Sequence, residues 1–131
     1  MKIPKGEYFL GDPCYCFGKK WSDILDETDF FNRSKVMETE AGPKILMAFN
    51  TAHGDGTYED QYGNEYSVDA GLIGLVPVEI IELKYSRERL SELGKFVTFN
   101  EGDIVKSNGG TLSFGQYIIK TDFGNSFDND F

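Results

Sequence analysis

Residues 96–120, FVTFNEGDIVKSNGGTLSFGQYIIK, decide the fold class. FVTF, GDIVK, TLSF and QYIIK are short segments rich in β-branched and aromatic residues, separated by Gly or Asn. That spacing predicts consecutive short strands joined by turns, because Gly and Asn accept the backbone angles such turns need. Immediately upstream, residues 86–93 predict a short helix that Ser86 can cap and Gly94 can end. Residues 72–83 are almost continuously apolar until Glu79, and Pro77 inside them predicts an edge position or a break into two elements. Residues 57–68 predict a hairpin, with Tyr58, Tyr62 and Tyr66 near a Gly63-Asn64 turn.

Closer to the N-terminus, Ile45, Met47 and Phe49 alternate onto one face of a strand that starts at Pro43. Residues 35–40 alternate as well. Residues 7–10 predict a first strand ended by Gly11-Asp12-Pro13, and residues 15–17 resume extended structure. Trp21, Ile24 and Leu25 recur at helical spacing, which predicts a second short helix over 20–27. The expected fold is mainly β: a compact antiparallel sandwich or partly open barrel, with roughly eight short strands and two short helices. An α+β arrangement is the alternative if 20–31 and 86–94 form longer helices.

The 131 residues include 11 Phe and 7 Tyr, enough for one core, and residues 1–120 read as a single globular domain. Residues 121–131, TDFGNSFDNDF, form an acidic, Phe-containing tail without a basic residue. Asp122, Phe123, Phe127 and Asp128 are its candidate partner-binding residues, the ordinary reading being a frayed end. A formal net charge of −9 argues against extended nucleic-acid binding, which needs clustered Lys and Arg, and suits either solubility or docking on a basic partner. No apolar run approaches the ~20 residues that span a bilayer, and MKIPKGEYF lacks the apolar stretch of a leader, so no membrane association is expected.

Cys14 and Cys16 lie one residue apart, a spacing that strains a disulfide and falls short of a structural zinc site or a redox pair. Reduced thiols fit a cytoplasmic protein. His53 is the sole histidine and the natural general-base candidate. Asp55 or Asp69 could orient it, and Cys14 could act as nucleophile if its thiolate were stabilised, which makes a small hydrolase or transferase the alternative function. The plain readings are a surface histidine in a glycine turn and a small buried hydrophobe. Gly54-Asp55-Gly56 and Asp69-Ala70-Gly71 could bring backbone N–H groups close to a ligand, although neither completes a phosphate loop or a dinucleotide fingerprint. Laid on the calcium-loop template from Asp55, the glycine position is Asp60, so the motif fails. No structural metal and no cofactor are expected. Asp12, Cys14, Tyr15, His53, Asp55, Tyr58 and Asp69 remain as candidates for a small polar ligand held between turns at strand ends.

The segments Leu10-Gly11-Asp12-Pro13-Cys14-Tyr15, His53-Gly54-Asp55-Gly56-Thr57-Tyr58 and Val68-Asp69-Ala70-Gly71-Leu72-Ile73-Gly74 resemble a group of small bacteriophage and prophage proteins. These share GDPCY, HGDGTY and VDAGLIG motifs. The resemblance supplies no activity and no catalytic residues. It implies a phage or prophage source and an accessory role in the cytoplasm of an infected host cell. Such a protein is expected to sequester a small polar ligand or to block a host protein, a defence protein for example.

Overall fold

The computed structural model describes residues 1–82 and 85–122. Five strands form an antiparallel sheet in the order β2 (Lys35–Thr39), β3 (Gly42–Asn50), β6 (Leu72–Pro77), β1 (Gly6–Gly11) and β7 (Lys95–Phe99). Against one face lies a second layer. It combines the hairpin β4 (Gly56–Glu59) and β5 (Glu65–Val68) with the meander β8 (Val105–Asn108), β9 (Thr111–Phe114) and β10 (Tyr117–Lys120). An isolated bridge between Asp60 and Ile119 seats the hairpin beside β10.

Alternation along each strand decides which core it feeds. Tyr8 and Leu10, Ile45 and Met47, Ile73 and Leu75, and Val97 and Phe99 face the second layer, where they meet Tyr58, Tyr66, Val68, Leu112, Phe114 and Ile119. The expected placement of Ile45, Met47 and Phe49 on one face holds. Phe9, Leu46, Ala48, Leu72 and Val76 point the other way, under Cys16, Phe17, Ile24, Phe31 and Leu90. Those covering residues come from a 3-10 turn (Pro13–Cys16), from α1 (Trp21–Glu27) and its exit, and from α2 (Arg87–Leu93). Because the large sheet is covered on both sides, β3 and β6 read as near-continuous apolar runs. The fold is thus mainly β and antiparallel, a sandwich with two short helices and no closed barrel among the described residues.

Several local expectations need correction. Residues 13–16 coil into a 3-10 turn, where extended chain was expected for 15–17. Asp12 accepts from the Cys14 N–H and Pro13 occupies the first position, a combination that starts a helical turn. Pro77 is on no edge, since β6 lies between β3 and β1. It ends β6, and the chain turns into a 3-10 segment (Val78–Ile80), so the expected break is real. Thr121 is buried rather than frayed: its hydroxyl donates to the Gly110 carbonyl at 2.6 Å and accepts from the Ala52 N–H at 3.0 Å. The folded unit therefore reaches at least Asp122, and Phe123, Phe127 and Asp128 lie outside the described residues. The Ser86 cap holds as expected, its hydroxyl accepting from the Arg89 N–H at 3.0 Å. Among the described residues no helix is long and apolar enough to cross a membrane.

Two buried polar side chains are well partnered. Lys44 points inward from β3, and its Nζ lies 2.7 and 2.8 Å from the Glu79 carboxylate oxygens and 3.1 Å from the Glu7 carbonyl. Pairing and hydrogen bonding offset the penalty of desolvating that ammonium. Asp60 organises the hairpin turn. Its carboxylate accepts from the N–H groups of Tyr62 and Asn64, the Asn64 amide and the Tyr66 hydroxyl, at 2.8 to 3.0 Å. Burial alone would raise the Asp60 carboxyl, but these donors outweigh it and hold it below its ordinary range.

A depressed folded pKa stabilises above the unfolded value of about 4 and loses that contribution as pH falls through the folded value. Asp60→Ala is therefore expected to lower stability by about 2 kcal/mol at neutral pH. The gap from wild type should narrow on acidification below about pH 4, as read by urea melts across that range. A gap that widens in acid would refute the assignment.

Candidate functional site

Three turns converge at one end of the sandwich, where β1 and β3 finish and β6 begins. Asp12, fully buried, is their junction. One carboxylate oxygen accepts from the Cys14 N–H at 3.0 Å, and the other accepts from the N–H groups of Asp69 and Ala70 at 2.9 and 2.7 Å. This side chain joins the Gly11-Asp12-Pro13 turn to the Asp69-Ala70-Gly71 turn. Gly71 then places its carbonyl on the Thr51 N–H at 2.9 Å. The Thr51 and Tyr58 hydroxyls both donate to the Gly54 carbonyl, at 2.5 and 2.9 Å. Gly54 and Gly71 each have φ of +75° and pack against one another, a backbone geometry that favours glycine.

The electrostatics of this cluster suppress nucleophilic chemistry. Burial first, then the nearby Asp12 carboxylate, push the Cys14 thiol up to about 12. A nucleophilic cysteine needs a shift in the opposite direction. Burial likewise holds Cys16 as a thiol, and burial together with the Asp69 carboxylate keeps the Tyr15 phenol protonated. Both cysteines are free, Cys16 buried and Cys14 partly so. Burial pushes the Asp12 carboxyl above its ordinary range, against the pull of its N–H donors.

Among the described residues, the His53 side chain makes no hydrogen bond to this junction. It is exposed, and its Nε2 lies 2.9 Å from the Asp122 carbonyl oxygen, so that nitrogen carries the proton it donates. Asp55 is exposed and the Asp69 carboxylate is hydrogen-bonded to the Tyr15 hydroxyl, and among the described residues neither carboxylate is hydrogen-bonded to the imidazole. Of the sequence candidates, Asp12, Cys14, Tyr15 and Asp69 gather tightly, Tyr58 supports them from below, and His53 and Asp55 stay outside. No group of three or more His, Cys, Asp or Glu side chains among the described residues is arranged to hold a metal.

The larger depressions lie elsewhere. One, of about 620 Å³, runs between α1 and the 3-10 segment after β6, lined by Phe17, Lys20, Asp23, Ile24, Glu27, Met37 and residues 79–82. Sequence reasoning passed over these residues because they sit on three separate elements. The one available signal was the Lys20, Asp23, Ile24, Glu27 spacing, which puts them on a single helix face. No family model, curated protein or solved structure matches this chain. Its chemistry has to be read from its own residues.

Proposed function

We propose that this chain is a non-catalytic accessory protein that acts by binding and blocking another protein, a host protein if the chain is of phage origin. The observation that carries this reading is the saturation of Asp12. Its two carboxylate oxygens accept three backbone N–H groups, and the Cys14 side chain hydrogen-bonds the same carboxylate. The best-gathered polar cluster therefore satisfies itself and acts as a turn clamp, with little left to offer a small polar ligand. A Cys14 thiol pushed up to about 12 and a His53 hydrogen-bonded to main chain weigh against the hydrolase or transferase alternative. The excess of acidic residues favours a basic protein surface as target.

Native mass spectrometry of the protein purified from the cells that produce it tests this. A stoichiometric complex with a second protein is the expected result. A retained small molecule in place of a protein would overturn the reading in favour of ligand sequestration.

A further inference from the structure

The geometry points to the groove between α1 and the 3-10 segment Val78–Ile80 as the docking surface, and to a basic amphipathic helix of a partner protein as its occupant. This rests on the binding reading above and gives it a place. The floor is apolar: Phe17, Ile24, Met37, Ile80 and Ile81 line the depression. A second depression of about 390 Å³ shares Glu79 and Ile80 with the first and carries the groove on toward Glu38 and Glu40 at the β2–β3 turn. An apolar trough of this kind suits the hydrophobic stripe of a helix.

The rim decides the sign of the partner. Glu27 is paired with Lys35, Glu79 with Lys44, and Glu82 accepts the Gly18 N–H. Asp23, Glu38 and Glu40 are exposed, and their carboxylates hold no partner among the described residues. Among the described residues, Lys20 is the single basic residue lining either depression. Three unpaired carboxylates, Asp23 beside the apolar floor and Glu38 and Glu40 along its extension, thus outnumber that lysine, an excess of negative charge that lysines or arginines flanking an aliphatic stripe would complement. A second copy of this chain would bring the same acids against each other across a body of net charge −9. Residues 123–131 carry two Asp and no basic residue, so they fail the same criterion.

The test is a fluorescence titration of the full chain with a short synthetic amphipathic helix of leucine and lysine. The same helix with glutamate for lysine, and an oligolysine of equal charge, serve as comparisons. Asp23→Lys with Glu38→Lys should weaken binding of the leucine–lysine helix about tenfold or more. Glu65→Lys with Glu101→Lys, an equal charge change at exposed acids outside the groove, should leave affinity within about twofold. Oligolysine should bind more weakly, because it offers the floor nothing. Equal loss in both double variants, equal binding of oligolysine, or no binding to wild type would each overturn the groove assignment. The native mass measurement stands apart from these outcomes: a retained partner protein alongside an unaffected groove variant removes this site and leaves the binding reading intact.

Discussion

Gly74→Ala is expected to destabilise the protein by about 3 kcal/mol or more, a large share of the stability of a domain this size. Gly74 lies in β6 at the middle of the large sheet, paired with Gly11 on one side and Ala48 on the other. A Cβ added there would stand 2.6 Å from the Ala48 Cβ and closer still to the Met47 carbonyl oxygen and the Ala48 Cα. Two of those atoms are backbone of a neighbouring strand, so no rotamer change relieves the clash. The sheet must shift, and both cores rest on it. Thermal unfolding should show a midpoint lowered by on the order of 10 °C. A variant melting within a degree or two of wild type would mean that the strands separate here at little cost.

Gly74 also marks the limit of what the sequence discloses. Strand runs, the hairpin and both helices were legible because they depend on local periodicity and turn chemistry, as the Ser86 cap and the Tyr58–Tyr66 pairing illustrate. The position of β6 between β3 and β1 was not legible. Pro77 argues locally for an edge, and only the tertiary arrangement places it where the strand ends. Lys44 was hidden for a similar reason: a lysine in an apolar strand gives no sign that its ammonium reaches Glu79 and the Glu7 carbonyl. A convergence of Asp12, His53, Asp55 and Asp69 was expected from their position at strand ends, and only Asp12 and Asp69 meet. Their purpose was not legible, because whether an aspartate serves a ligand or its own backbone depends on which N–H groups come within reach. The groove was invisible, since α1, β2 and the residues after Pro77 are distant in the chain and each looks ordinary alone.

Asp12→Ala is the substitution that separates a clamp from a ligand site. Removing the carboxylate leaves the N–H groups of Cys14, Asp69 and Ala70 without their acceptor. Partly buried donors left unpaired cost about 1–3 kcal/mol each, and water reaching the exposed Asp69–Ala70 turn recovers some of that. A net loss of about 3 kcal/mol is expected. Asp12→Asn should recover only part of it, because its amide oxygen still accepts while its NH2 group faces a main-chain donor. Asp69→Asn and His53→Ala should each stay within about 0.5 kcal/mol of wild type. Asp69 reaches Asp12 through its backbone N–H, which the substitution keeps, and the Asn amide oxygen can still accept the side-chain hydrogen bond from the Tyr15 hydroxyl, while His53 is an exposed side chain hydrogen-bonded to the Asp122 carbonyl. Denaturant melts of the four variants, each run beside a binding measurement against the partner found in the native complex, give the decision. Binding lost in Asp69→Asn or His53→Ala at full stability would return the turns to the functional surface. Binding lost only where stability is lost, in the Asp12 variants, identifies the junction as scaffold.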